Sequence, residues 1–129
     1  MGLLRDLTEL TATAMMAATS ISAANTGSST LDLQNYTGSI KVVASIGAPT
    51  THSGSCAITG IVQASSDNVT FTDISTATFA PAVTTNTVVS VTVEPRSTYR
   101  YLGVSFTPGA SGTNTFPIAV VALGMKQVQ

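Results

Sequence analysis

The sequence predicts an all-β fold: an antiparallel β-sandwich or jelly roll of about eight strands, preceded by an N-terminal helical or extended arm. Three observations carry this expectation. Apolar residues recur at every second position in a series of short runs. Val, Ile and Thr, which suit a pleated and half-buried surface, fill those runs. Clusters of Gly, Pro, Asn, Asp and Ser stop each run at fairly regular spacing. The stretch from Ser39 to Asp73 shows all three: SIKVVASIG, then SCAITGIVQAS, then SDNVTFTD.

Met1 to Ser22 differs from the rest of the chain. Leu3, Leu7, Leu10 and Ala14 follow helical spacing, Arg5, Asp6 and Glu9 mark a polar side, and the segment has no Pro and no Gly after Gly2. A helix of three or four turns is expected, docked on its own sandwich or reaching to a neighbouring subunit, because a short isolated helix is marginal in water. Asp6 and Glu9 argue against a secretion signal. Asp6 also stands where a myristoylation motif needs Ser or Thr. Ala23 to Thr30, AANTGSST, reads as a linker. The expected organisation is therefore an arm over residues 1–30 and a sandwich domain over 31–129.

Within that domain, Leu31 to Leu33 reads as a short strand and Asn35 to Gly38 as a turn. Ile40, Val42, Ala44 and Ile46 are expected to face the core, away from Lys41, Val43 and Ser45. Gly47 to Gly54 is a loop. Cys56, Ile58, Gly60, Val62 and Ala64 share one face of the next strand. Ser65 to Asn68 is a tight turn in which Asp67 and Asn68 can bond their own backbone. Phe71 is expected to anchor the core from the next strand, and Ser75 to Phe79 to form a short strand or edge. Val89, Val91 and Val93 should point inward. Pro95 lies in the segment that ends that strand. Thr98 to Phe106 and Phe116 to Leu123 are the last two strands, separated by the turn PGASGT. Val121 and Leu123 make the final strand apolar on both faces, as expected for one that is central or lies under a partner.

Composition narrows the function. The chain has 129 residues, 43% of them hydrophobic and only 9% charged, with a net charge of −1. Soluble domains carry about 25% charged residues. Ser and Thr instead make up more than a quarter of the chain. An exterior so poor in charge favours association with other protein. Arg5, Lys41, Arg96, Arg100 and Lys126 are scattered, so direct nucleic-acid binding is not expected. No apolar run reaches the roughly 18 to 20 residues of a membrane span. One cysteine, Cys56, excludes an intrachain disulfide and fits folding in a reducing cytoplasm.

No catalytic, cofactor or metal set emerges. His52 is the only histidine. Cys56, four residues later, is expected to point into the core and not toward a base. Zinc needs several His or Cys ligands. Asp67 with Asn68 fits a turn better than a calcium site. Asp73 and Glu94 are the acidic residues whose approach would matter for glycoside chemistry, and nothing in their spacing demands it. The Tyr99, Arg100, Tyr101 run resembles a base-stacking platform, but with so few charges nearby packing is the plainer reading. The expectation is a protein that is not an enzyme.

A resemblance adds to this reading. Asp32, Leu33, Gln34, Tyr36 and Gly38 form a "DLQ.Y.G" start, followed by Val42, Ser45, Gly47 and Ala48. Next comes "Q.S.DN.TFTDI", here Gln63, Ser65, Asp67, Asn68, Thr70, Phe71, Thr72, Asp73 and Ile74. Arg100, Tyr101, Leu102 and Val104 give an "RYL.V" strand, and the last strand ends on Gly124 and Lys126. From about Leu31 to Lys126 this resembles small head proteins of tailed bacteriophages, the capsid decoration or cement proteins. The resemblance implies a structural virion protein on the capsid exterior. It would be a homotrimer that binds the major capsid protein and stabilises contacts between capsomers. Leu3, Leu7 and Leu10 are then candidate capsid anchors, and Tyr99, Tyr101 and the exposed side of the last strand a candidate subunit interface. The alternatives are a tail or neck component, or a receptor- or carbohydrate-binding sandwich of a virion; the absence of Trp and the 5% aromatic content speak against a glycan platform.

Overall fold

The computed structural model describes residues 10–23, 25–27, 29–50, 57–79, 85–94, 96–109 and 115–126. Its strands are β1 (Leu10–Ile21), β2 (Asn25–Thr26), β3 (Leu31–Asp32), β4 (Tyr36–Ile46), β5 (Ile58–Ser65), β6 (Thr72–Phe79), β7 (Thr87–Val93), β8 (Tyr101–Pro108) and β9 (Phe116–Lys126). A single 3-10 turn, Leu33–Asn35, is the only helical piece among the described residues.

The strands form two antiparallel sheets. Sheet A has the order β1-β9-β4-β7, and sheet B the order β2-β8-β5-β6, with β3 also paired to β8. Counting β2 and β3 as one interrupted strand, the pairing is nested. The first strand pairs with the last, the second with the second last, β4 with β7, and β5 with β6. That is one long hairpin rolled into two layers, the jelly-roll arrangement. Its tip is the Ser65–Phe71 turn between β5 and β6, and its open end is where Leu10 faces Met125.

Period-two alternation places the core as expected. Ile40, Val42, Ala44 and Ile46 of β4 are buried while Lys41 and Ser45 are exposed. Ile58, Gly60, Val62 and Ala64 of β5, Leu102, Val104 and Phe106 of β8, and Phe116, Ile118, Val120 and Ala122 of β9 complete the interior. Each fully buried Val, Ile, Leu or Phe contributes about 1.5–3 kcal/mol through removal from water. Phe106 stacks on Phe79 with ring centroids 5.4 Å apart.

Two expectations are corrected. The helix expected over Met1 to Ser22 is, in its described part, the edge strand β1, paired with β9 from Leu10↔Met125 to Ile21↔Phe116. Leu10 and Ala14 do share helical spacing, but Thr11, Thr13 and Met15 alternate with the exposed Ala12 and Ala14 at strand spacing. Pairing with β9 rewards the second period, and tertiary context overrides propensity. A register shift between Ala14 and Met16 lets the consecutive Met15 and Met16 both bury. Asn25–Thr26 and Leu31–Asp32 lie along β8, so the stretch expected as a linker borders sheet B. Phe71 is the second correction. It precedes β6 and is half-buried outside the sandwich, where a Cβ on Gly103 would touch its ring at 3.4 Å. Ile74, Ala77 and Phe79 fill the core instead, because the turn with Asn68 at φ 62° carries the chain past Phe71 before pairing resumes.

Candidate functional site

The sandwich presents two outer faces of unlike chemistry. On sheet A the register aligns the outward residues in rows. Ala12, Leu123, Lys41 and Thr92 form one row, and Ala14, Val121, Val43 and Ser90 the next. Ala119, Ser45 and Val88 form a third. These three rows hold one charge, Lys41. Ala12 and Ala14 are exposed, Val88 is 68% exposed, and Val43, Val121 and Leu123 are half-buried. An open depression of about 540 Å³, lined by Ser20, Ser45, Gly47, Asn86, Pro117 and Ala119, continues the face toward one end. There the Asn86 carboxamide oxygen accepts from the Ala48 N–H at 3.2 Å. Small and branched apolar groups on a twisted sheet give a smooth surface whose burial is favourable and whose few polar groups lose little on docking.

The outer face of sheet B is polar. Gln63 sits between Gly103 and Asp73, and Ile61 between Ser105 and Thr78. The Gln63 amide donates to the Asp73 carboxylate at 2.8 Å. The Thr59 hydroxyl donates to the Thr107 carbonyl at 3.3 Å. An open groove of about 450 Å³ runs over these side chains, with Phe71 beyond Gln63 at its margin.

The residues singled out from sequence fall in separate places. Leu3 and Leu7 lie outside the described residues, and Leu10 is the first residue of β1, opposite Met125. Tyr101 opens β8 in sheet B, opposite Asp32 and Ser65. Arg100 stands over its ring, 5.1 Å from the centroid, and reaches the Asp32 carboxylate at 3.4 Å. That carboxylate's hydrogen bond holds the Arg100 guanidinium above its ordinary pKa. Tyr99 is half-buried against the core, with Arg96 5.8 Å from its ring centre. Both tyrosines therefore belong to one end of sheet B, whereas the exposed side of the last strand belongs to sheet A; the fold does not bring them onto one face. The sheet A face is the larger finding. Sequence pointed to its β9 part through Val121 and Leu123. Ala12, Ala14 and Val43 had a signal too, since Val43 breaks the polar side of β4, but the pairing that gathers them is not local.

Among the described residues no three His, Cys, Asp or Glu side chains come together to hold a metal. Asp73 is engaged with Gln63 and Glu94 with the Ser39 hydroxyl, on different sheets. His52 and Cys56 lie outside the described residues. No helix among them is long and apolar enough to cross a membrane.

No protein-family model matches the chain, and no curated protein sequence matches it. Solved structures do. One is the PBSX exported protein XepA, 16% identical over 92% of this chain and 38% of that one, with a TM-score of 0.59. Another is the CBM36-1 domain of a multidomain xylanase from the hindgut metagenome of Trinervitermes trinervoides, 9% identical over 92% of this chain and 99% of the domain, TM-score 0.51. A third is the enzymatically active domain of tailspike protein 4 of bacteriophage CBA120, 10% identical over 90% of this chain and 19% of that one, TM-score 0.52. At these identities the likeness is one of fold. It places the chain among β-sandwiches of a kind found in a phage tailspike and in a module of a xylanase. The chain spans about 38% of XepA and 19% of the tailspike domain.

Proposed function

We propose that this chain is a structural virion protein, a capsid decoration or cement protein that binds the outside of the shell and stabilises contacts between capsomers. The observation that carries the reading is the outer face of sheet A, which the described residues leave open and which is apolar along β1 and β9 and at Val43 of β4, with Lys41 as its one charge in three rows. Such a face is stabilised by burial against other protein. The low charge of the whole chain and the resemblance from Leu31 to Lys126 support the same reading. The role is one of binding and not of turnover. Each copy that binds the assembled shell more tightly than its separated parts stabilises it by mass action, and a trimer multiplies that by avidity. Leu3 and Leu7, ahead of β1, are proposed as further anchors. The test is the copy number on purified particles. Hundreds of copies that survive washing in molar salt are expected, since apolar docking is little screened, and Val121→Lys should strip them while leaving the melting temperature within a degree or two. About a dozen copies, or none, would assign the chain to the neck or tail, or outside the particle.

A second reading has its own observation, the polar groove on sheet B. Gln63, Asp73, Thr59, Thr78 and Ser105 offer the amide, carboxylate and hydroxyl groups that bind sugar hydroxyls, with Phe71 at the margin. A glycan array probed with the wild type and with Asp73→Ala decides it; binding lost in the variant would favour this reading.

A further inference from the structure

The four edges of the two sheets are not alike. β1 is broken by two register shifts, between Ala14 and Met16 and between Met16 and Thr19. The β2–β3 edge is two pieces of two residues each. β6 carries Asp73, and its pairing with β5 shifts between Ile61 and Gln63. Bulges, breaks and charges of this kind keep a sheet edge from pairing with another chain. β7 has none of them. It pairs one-to-one with β4 from Ile40↔Val93 to Ile46↔Thr87, without a shift. Its sequence, TVVSVTV, has no charge, no Pro and no Gly.

Two further features say what fits beside it. Val89 and Val91 face the interior, opposite Ala44 and Val42, and both are half-buried: among the described strands β7 is hydrogen-bonded to β4 alone, while β6 of the other sheet approaches it across the edge of the sandwich without pairing. The strand is also close to its own reverse about Ser90. Turned antiparallel on itself, it sets Val89 against Val91 of the other copy on the inner face, and Val88 against Thr92 on the outer face.

We propose that β7 is a two-fold self-pairing edge. Two copies of this chain join antiparallel along β7, centred on Ser90, so that their two four-stranded sheets become one continuous sheet. The pairing satisfies the open row of backbone groups on each strand and completes the burial of Val89 and Val91. It also merges two sheet A faces into one apolar surface. The contact is two-fold, so it is distinct from any that closes a three-fold ring; it links one such unit to the next. It holds whether the sheet A face docks on a capsid or not.

Facing residues in an antiparallel pair have Cα atoms about 4.5–5.5 Å apart, within the roughly 4.4–6.8 Å span of a disulfide. Residues two places from the centre sit about 13 Å from their own copies at a strand rise of about 3.3 Å. In a Cys56→Ala background, Ser90→Cys is therefore expected to form a disulfide-linked pair in most molecules on mild oxidation. Val88→Cys alone should stay largely unlinked, while Val88→Cys mixed with Thr92→Cys should link. Without the Cys56 change, Ser90→Lys sets two like charges face to face and should weaken concentration-dependent self-association in sedimentation at least tenfold. Ser90 is exposed, so the fold should be kept. Linking of Ser90→Cys no faster than of Val88→Cys would overturn the proposal. So would sedimentation of Ser90→Lys indistinguishable from wild type.

Discussion

At Gly60 a missing side chain decides how the core closes. The residue faces inward on β5, and a Cβ there would lie 2.2 Å from the Phe106 ring, which stacks on Phe79. Gly60→Ala should cost about 1–3 kcal/mol by overpacking, read as a lower urea midpoint at unchanged slope. Adding Phe106→Leu should recover part of the loss. At the hairpin tip a charge, not a gap, sets the geometry. The Asp67 carboxylate accepts from the backbone N–H groups of Thr70 and Val69, both at 2.9 Å, and from the Ser65 hydroxyl at 2.9 Å. These bonds, Thr70's first, hold its pKa below the usual carboxylate value. A carboxylate depressed by folding stabilises above its unfolded value, about 3.9, and that contribution is lost as pH falls through the folded value. Asp67→Ala should therefore lower stability at pH 7 and flatten the acid limb below about pH 4 in urea titrations at several pH values. The resemblance motif was legible because of residues like these. Asp67 and Asn68 make the turn, Gly38 takes φ 79°, and the Tyr36 hydroxyl meets Thr13 at 2.7 Å. Such residues specify a shape and leave the partner unstated.

Among the elements, β1 teaches most. Its sequence LTATAMMAATSI satisfies a helical and an extended period at once, and only the presence of β9 chooses between them. Strands β4, β5 and β9 had no rival period and were legible residue by residue. The consequence is practical. Deleting residues 1–18 removes most of the strand that covers one side of β9, so the truncated chain should lose cooperative unfolding and bind a hydrophobic dye. Weak particle binding by that truncation would then report lost folding, which is why a point change on the outer face is the cleaner probe. The β7 edge was invisible from sequence for the opposite reason. TVVSVTV reads equally well as a central or an edge strand, and position in a sheet is set by long-range pairing.

For the whole molecule, the sandwich class and the core faces came from alternation and turn chemistry, while the nested strand order did not. Which strands meet depends on contacts between residues far apart in the chain, and no local pattern encodes them. The same nonlocality hid the contrast between the two outer faces. Sheet A collects apolar side chains from β1, β4 and β9, and sheet B collects Gln63, Asp73 and hydroxyls, so the molecule has a direction: one side suited to being covered and one suited to water. Finally, Leu10 lies opposite Met125, at the open end of the rolled hairpin. The backbone thus enters β1 and leaves β9 at a single corner. A unit cut at Leu10 and Met125 and spliced into a surface loop of a host protein would therefore act as a cassette, its two splice points side by side and the host chain scarcely displaced.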